Sequence, residues 1–253
     1  MPRFAASVEL MFREADLLGR FERAAAAGFR GVEIQSPYDE AKEDVAERVR
    51  RHGLEAVLMN VLPGVAAIPG READFRGALA RALAYAAAAD CRQLHCVAGP
   101  TDDPKAEATF VANLKWASEM ARPAGVRLLL EPLNTRDNPG YFLTRTAQAR
   151  RILDQVGSDN VFLQYDCYHM QIMEGDLAET VKANIDVIGH FQCAGVPGRH
   201  EPDQTQEVNY PYLFALIDSL GYQGWVGCEY HPRAGTVEGL SWARPYGIQD
   251  SRS

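Results

Sequence analysis

The sequence lacks the features that identify several large classes of protein. It contains no uninterrupted apolar run long enough to cross a bilayer, and its start has no apolar region of the kind found in signal peptides. No stretch rich in proline and serine separates one part of the chain from another. From these absences we expect a cytoplasmic protein without membrane contacts. We also expect a single domain over residues 1–253, with a loose tail from about residue 249.

Basic residues are too few for a nucleic-acid-binding surface. The chain has 26 Lys and Arg against 34 Asp and Glu, which gives a formal net charge of -8 at pH 7. Contacts to phosphates need clustered Lys and Arg. This balance argues against nucleic acid as a partner, but it leaves room for a local basic pocket that binds a small anion.

Cysteine is scarce and shows no metal-finger spacing. The five cysteines, at positions 91, 96, 167, 193 and 228, are odd in number, and four of them lie in or beside predicted strands. We therefore predict buried free thiols in a reducing compartment.

What the sequence does contain is a regular alternation of strands and helices. Hydrophobic residues make up 47% of the 253 residues, which is enough for a large core. Short apolar runs predict strands at 4–8, 31–35, 54–60, 93–97, 126–130, 161–166, 187–192 and 225–228, and each is followed by a helical pattern, the last of which (237–242) is atypical. Eight such units predict a closed (β/α)8 TIM barrel. The alternative, a doubly wound open sheet, is weakened because no glycine-rich dinucleotide or P-loop fingerprint follows the first strand.

Four polar residues stand where predicted strands end. They are Glu131, Asp166, Gln192 and Glu229, and His169 follows shortly after Asp166. Because the carboxyl ends of parallel strands meet at one rim, where such proteins bind ligands, we expect these side chains to lie together. The four offer oxygen ligands only, which suit Mg²⁺ or Mn²⁺ better than Zn²⁺ or Cu²⁺. The pattern predicts a metal-dependent enzyme.

Each of these residues also has a purely structural interpretation. A buried glutamate can pair with a basic side chain, Asp166 can cap the turn that follows it, and Gln192 can bond to backbone. An isolated histidine such as His169 is often a core or surface residue. We assign structural roles to His190, Cys193 and Cys228. The coincidence of four polar residues at equivalent positions favours the metal site.

The two glutamates allow a reaction to be predicted. Glu131 and Glu229 follow the fifth and eighth strands and would face each other across the barrel mouth. A substrate bound to the metal between them would have a carboxylate on each side. That arrangement suits proton abstraction next to a carbonyl, with the metal stabilising the enediolate. Hydride transfer would require a nicotinamide site, which no motif indicates.

Longer segments carry a family resemblance over nearly the whole chain. Segments 28–33 (GFRGVE), 68–72 (IPGRE), 131–134 (EPLN), 165–171 (YDCYHMQ) and 224–230 (GWVGCEY) are similar to the hydroxypyruvate isomerase family, within the xylose-isomerase-like barrels that also include ketose 3-epimerases. By this resemblance Glu131 and Glu229 are metal ligands and acid–base groups, and Asp166 and Gln192 are metal ligands. His169 and Arg199 resemble the substrate-contacting His and Arg of those barrels.

The resemblance also implies a reaction and a partner. The reaction would interconvert hydroxypyruvate and tartronate semialdehyde, within glyoxylate or sugar-acid metabolism. The partner would be a small-molecule sugar acid or keto acid, and a homo-oligomer is compatible with the sequence. Arg199 would pair with the substrate carboxylate. A solvated loop arginine is the alternative for this residue.

Three rim loops depart from the family's pattern. The loop after Asn60 and the loop 98–104 are short, and 203–206 (DQTQ) replaces the usual glycines. Rim loops set substrate fit, so these departures bear on the substrate more than on the chemistry. The alternatives are a larger 2-oxo acid such as a 2-oxo-tetronate, 3-epimerisation of a free ketose, and a non-catalytic barrel that binds a sugar acid. A metal-dependent DNA-repair endonuclease would require a His-rich site and a basic face.

Overall fold

Eight parallel strands form a closed barrel in the computed structural model, which describes residues 1–248. The strands are β1 (Arg3–Ser7), β2 (Gly31–Glu33), β3 (Glu55–Val61), β4 (Gln93–Cys96), β5 (Arg127–Leu130), β6 (Val161–Asp166), β7 (Ile188–Cys193) and β8 (Trp225–Cys228). Each strand pairs with the next along the chain, and β8 pairs with β1. The predicted (β/α)8 barrel is confirmed, and the doubly wound open sheet is wrong. The tail predicted from about residue 249 lies outside the described residues.

Helices connect the strands and pack against them. They are α1 (Leu17–Ala26), α2 (Lys42–Arg51), α3 (Glu72–Ala89), α4 (Ala106–Ala121), α5 (Thr146–Val156), α6 (Cys167–Met173), α7 (Leu177–Asn184) and α8 (Tyr210–Ser219). The atypical final helix is present as a 3₁₀ helix, Glu238–Tyr246. The sequence patterns miss α6, because this helix of 7 residues begins directly after β6 with no turn residue between them.

The long helix α3 shows how composition and burial act together. It contains a run of alanines, the best helix formers, and it buries Phe75, Leu79, Ala82 and Ala86 at spacings of three and four residues. It ends at Ala89, and the C-cap residue Asp90 stops the helix with its left-handed backbone (φ 55°). The alanine run is therefore part of a packed helix.

Apolar side chains fill part of the barrel near the end where the strands begin. Ala5, Val57 and Trp225 form a small buried cluster separate from the main core. Gly31 lies against this cluster, since a Cβ atom there would stand 2.8 Å from Val57 Cγ2 and 2.9 Å from Trp225 Cζ3. The cluster fills part of this end of the barrel, and polar groups border it, since Gln93 Nε2 donates to the Val57 carbonyl oxygen at 3.2 Å and Trp225 Nε1 donates to Glu55 Oε1 at 2.9 Å.

Replacing Gly31 by alanine is expected to lower the free energy of unfolding by about 1–3 kcal/mol, the usual cost of overpacking a filled core. Denaturant unfolding measures this change. Gly77→Ala is the matched control, because a Cβ atom at Gly77 meets nothing within 4 Å. Gly77 lies inside α3, so alanine there should raise stability by about 0.5–1 kcal/mol. If Gly31→Ala is as stable as the parent, the cluster can accommodate an extra methyl group and the prediction is wrong.

The cysteines contribute to the core as reduced side chains. All five are buried and none forms a disulfide. Burial raises the pKa of the Cys91 and Cys96 thiols to about 12, so they remain protonated. The prediction of buried free thiols is confirmed. Within residues 1–248, no helix is long and apolar enough to cross a membrane.

Candidate active site

Three carboxylates and one imidazole meet at the carboxyl end of the barrel. Glu131 follows β5, Asp166 is the last residue of β6, and Glu229 follows β8, while His169 lies within α6. One ligand atom from each of these four side chains lies within 4.8 Å of the others. The structure thus brings these residues together at the rim, where the strand pattern predicts them.

The three carboxyl groups of the cluster are close together and largely shielded from solvent, so their negative charges repel one another. Glu131 is 4% exposed and Asp166 is fully buried. Burial, reinforced by the charge of Glu229, raises the pKa of Glu131 well above its usual value and that of Asp166 to about 8. Within the described part of the chain, Glu131 Oε1 and Asp166 Oδ2 accept no hydrogen bond. Burying a carboxylate oxygen without a hydrogen-bond partner destabilises the fold. Such an oxygen is a suitable ligand for a divalent cation.

Asp166 both caps a helix and contributes an oxygen to the site. Its Oδ1 accepts a hydrogen bond from Tyr168 N at 2.7 Å and so caps α6. Its Oδ2 faces the site and lies 3.7 Å from His169 Nε2. The capping bond therefore fixes the rotation of the carboxyl group, and the second oxygen stays available to a ligand.

Gln192 stands next to this cluster on β7, where it pairs with Asp166 in the strand register. Its Nε2 donates to both carboxylate oxygens of Glu33, at 3.1 and 3.0 Å. Its Oε1 accepts from Gln164 Nε2 at 2.7 Å, and the same nitrogen donates to Glu131 Oε2 at 2.8 Å. The amide oxygen of Gln192 and a carboxylate oxygen of Glu131 therefore meet at one nitrogen.

His169 is oriented as a hydrogen-bond donor towards the site. Its Nδ1 accepts from the backbone N–H of Asn134 at 3.1 Å and lies 2.7 Å from Asn134 Nδ2. Burial, and then the charge of Arg199, lowers the pKa of His169 well below its usual value, so the ring is neutral. A neutral ring that accepts at Nδ1 carries its proton on Nε2, which faces Asp166 and Glu131. This tautomer favours contact with a substrate oxygen over metal ligation.

Arg199 completes the set of residues singled out in the sequence. Its backbone has a left-handed conformation (φ 53°), which is strained for a non-glycine residue and occurs often at functional sites. Its Nη2 lies 2.8 Å from Glu229 Oε2 and 3.4 Å from His169 Nε2. Its Nε is buried and has no partner among the described residues. It is therefore not a solvated loop arginine, and its Nε–H group has no acceptor among the described residues.

Several polar residues beneath the rim escape the sequence interpretation. They are Glu33, Gln35, His95 and Gln164, and Glu33 contacts His190, to which we assign a structural role from the sequence. Gln35 Nε2 donates to Glu229 Oε1 at 2.6 Å, and His95 Nδ1 lies 3.4 Å from Glu131 Oε2. Alternation along a strand could have found one of them, because Gln164 stands two residues before Asp166. Their pairing with residues of other strands carries no local signal.

The sequence has close relatives over nearly its whole length. Residues 21–246 match the model of the xylose isomerase-like TIM barrel family. The 2-oxo-tetronate isomerase of Cupriavidus necator is 50% identical over 258 residues, which cover 97% of this chain and 99% of that protein. The hydroxypyruvate isomerase of Escherichia coli is 44% identical over 259 residues, which cover 97% of this chain and 100% of that protein.

A solved structure has nearly the same fold as this chain. The crystal structure of a Brucella melitensis protein described as an AP endonuclease of family 2 has a TM-score of 0.96 and 47% identity, over 98% of this chain and 100% of that one. Within residues 1–248 of the present chain, however, one group of acidic, His and Cys side chains could hold a metal ion, and it contains a single histidine. The His-rich site expected of an endonuclease is not found there.

The relatives decide between the classes that the sequence left open. Isomerases at 44% and 50% identity align with this chain from end to end, so the activity lies within their class and a barrel that merely binds a sugar acid is set aside. The chain belongs to the hydroxypyruvate isomerase family of xylose isomerase-like TIM barrels, and it is an isomerase.

Proposed function

We propose that this isomerase is metal-dependent and moves the carbonyl group of a 2-oxo-3-hydroxy acid between C2 and C3, with hydroxypyruvate as the substrate and tartronate semialdehyde as the product. One observation carries the proposal. Glu131 and Glu229 converge at one buried point, beside the neutral His169 and the partly unpaired Arg199. Two carboxylates, a donor and a fixed cation are the groups that proton transfer next to a carbonyl requires.

The residues at the rim fit a divalent cation. Glu131, Asp166, Gln192 and Glu229 would hold it through oxygen atoms, and two of these residues carry oxygens that are buried and unpartnered among the described residues. An all-oxygen set favours Mg²⁺ or Mn²⁺. When bound, the cation would stabilise negative charge on the substrate oxygens.

The two glutamates would move the protons. In hydroxypyruvate, one of them removes a proton from C3, which breaks that C–H bond and forms a C2–C3 double bond while the electron pair of the C2 carbonyl moves onto its oxygen. A proton is then delivered to C2, while the hydroxyl proton passes from the C3 oxygen to the C2 oxygen. No proton is gained or lost overall. The pKa of Glu131, raised by burial and by Glu229, suits a group that must accept and return a proton.

Arg199 and His169 would hold the substrate. The Nε–H group of Arg199, which has no acceptor among the described residues, can donate a charge-assisted hydrogen bond to a carboxylate. His169 Nε2 would donate to a substrate oxygen, with its tautomer fixed by Asn134. The Arg199 contact favours an acid over a neutral ketose, because a ketose would leave the buried Nε–H group without a carboxylate acceptor.

A second candidate substrate is a 2-oxo-tetronate. The observation that favours it is the 50% identity to the Cupriavidus necator protein of that name, over nearly all of both chains. The proton transfer is the same, because this acid also carries its carbonyl at C2 and a hydroxyl at C3. It differs by a hydroxymethyl group on C3, which the rim loops would have to accommodate.

Solvent deuterium incorporation, followed by NMR, tests the proposal. Protein stripped of metal and then supplied with Mg²⁺ or Mn²⁺ would be incubated in D₂O with hydroxypyruvate, a 2-oxo-tetronate and a free ketose, each beside an enzyme-free control. We expect exchange and isomerisation with an acid, little with the ketose, and little without metal. Exchange with the 2-oxo-tetronate alone would select the second candidate. Exchange that persists without metal, or occurs only with the ketose, would contradict the proposal.

A further inference from the structure

A fully buried carboxyl group lies beneath the rim, outside the set that would hold the cation. Glu33, the last residue of β2, has Oε1 2.5 Å from His190 Nε2. Both of its oxygens accept from Gln192 Nε2. The barrel is built around this group: a Cβ atom at Gly227 would lie 1.9 Å from Glu33 Oε1. The glycine in β8 therefore provides the space that the carboxyl group occupies.

The Glu33 carboxyl group determines which end of the Gln192 amide faces the site. The oxygen and nitrogen of an amide have nearly the same size, so shape alone does not distinguish the two orientations. A flipped Gln192 would set its carbonyl oxygen against the oxygens of Glu33. Because His190 bonds to Oε1, Oε2 remains an acceptor wherever the proton between Glu33 and His190 resides. Nε2 of Gln192 is thus directed to Glu33, and its oxygen is directed away from it.

The opposite end of the amide meets the proposed metal ligands. Gln192 Oε1 accepts from Gln164 Nε2, which is itself held by Glu131 Oε2. Glu131, being a carboxylate, orients Gln164 in the same way as Glu33 orients Gln192. The two amides therefore form an ordered chain between Glu33 and Glu131, in which Gln192 donates to Glu33 and Gln164 Nε2 donates to both Gln192 Oε1 and Glu131 Oε2.

We propose that Glu33 is a positioning residue that keeps the amide oxygen of Gln192, rather than its NH₂ group, turned towards the cation-binding carboxylates. The inference rests on the proposed metal site. An amide nitrogen has no lone pair for a cation and carries two positively polarised hydrogens, so a flipped Gln192 would repel the ion. Glu33 thus converts an ambiguous side chain into an oxygen ligand.

The test measures Mn²⁺ affinity by calorimetry and by the spin-resonance signal of free Mn²⁺, on metal-free protein. Glu33→Met keeps the side-chain volume but removes the acceptor. It is expected to weaken Mn²⁺ binding about 10–100-fold, the usual effect of losing a group that orients a ligand. Glu33→Gln is the matched control. Its oxygen can still accept from Gln192 while its NH₂ donates to His190, so affinity should stay close to that of the parent.

A double-mutant cycle separates positioning from a general structural role. If Glu33 acts through Gln192, then Glu33→Met should cause no further loss of Mn²⁺ affinity once Gln192 has been replaced by alanine. Gly227→Ala provides a second route should Glu33→Met fail to fold, because the new Cβ displaces the carboxyl group. It should weaken Mn²⁺ binding in the parent and leave it unchanged in the Gln192→Ala background.

The outcomes distinguish this inference from the proposed function. If Gln192→Ala weakens Mn²⁺ binding but Glu33→Met and Gly227→Ala do not, the ligand set stands and the positioning role is wrong. The positioning role is also wrong if Glu33→Met causes the same loss with and without Gln192. If Gln192→Ala binds Mn²⁺ like the parent, the proposed ligand set is wrong, and the role of Glu33 falls with it.

Discussion

Replacing either Glu131 or Glu229 by glutamine is expected to lower kcat by about 10²–10⁴-fold, the range for loss of a positioned acid–base group. Glutamine keeps an oxygen that can bind a cation, and it occupies nearly the same volume, but it cannot take up and return a proton. The substitution therefore removes the proton transfer and preserves the shape of the site. Deuterium exchange into the substrate should fall together with the isomerisation rate.

The same two variants should still bind Mn²⁺, although more weakly than the parent because one negative charge is lost. This distinguishes loss of chemistry from loss of the site. Glu107→Gln is the control for removing a carboxylate, since Glu107 lies on α4 and is paired with Arg151 on the outer surface. That variant should retain the parent kcat. Parent-like deuterium exchange in both Glu131→Gln and Glu229→Gln would show that the proton is moved by another group.

The rim could be predicted because it follows from a rule about strands. Each of Glu131, Asp166 and Glu229 closes an apolar run, and parallel strands in a barrel must end at the same rim. The rule needs only the order of residues along each strand. It therefore predicts which residues meet, without predicting distances, protonation or hydrogen bonds.

The layer beneath the rim could not be predicted in this way. Glu33 lies inside a predicted strand, where a buried charge requires a partner. That partner, His190, is 157 positions away in the sequence and reaches it only because the barrel closes. The tautomer of His169 likewise depends on Asn134, a contact between segments that follow two different strands. Such contacts are products of the tertiary fold, so no local pattern records them.

Asp166→Asn is expected to abolish stabilisation by Mn²⁺ and to raise the melting temperature of the metal-free protein. The introduced asparagine would keep an oxygen to accept from Tyr168 N, while its NH₂ would replace the Oδ2 atom that has no partner among the described residues. Carboxylates that now repel that oxygen would instead accept from the new donor. The substitution thus exchanges a cation-binding group for internal stability, a common trade-off at functional sites.

Titration of Asp166 makes the stability difference between the variant and the metal-free parent depend on pH. The pKa of Asp166 is raised by burial and by Glu229 to about 8 in the folded protein, against about 3.9 in an unfolded chain. The folded state therefore binds this proton more tightly, so the metal-free parent loses stability as pH rises from about 4 to 8 and loses no more above that. Asparagine does not titrate, so the advantage of the variant should be larger at pH 8 than at pH 6.

Thermal unfolding in a chelator and in Mn²⁺, at pH 6 and pH 8, measures both effects. At pH 8 without metal the variant should melt at least about 4 °C above the parent, since 1 kcal/mol corresponds to about 2–4 °C in a domain of this size. Mn²⁺ should raise the melting temperature of the parent but not that of Asp166→Asn. Asp154→Asn, at an exposed site on α5, should match the parent in every condition. If the variant melts below the metal-free parent at both pH values, the prediction is wrong, because Asp166 would then stabilise the fold even without a bound cation.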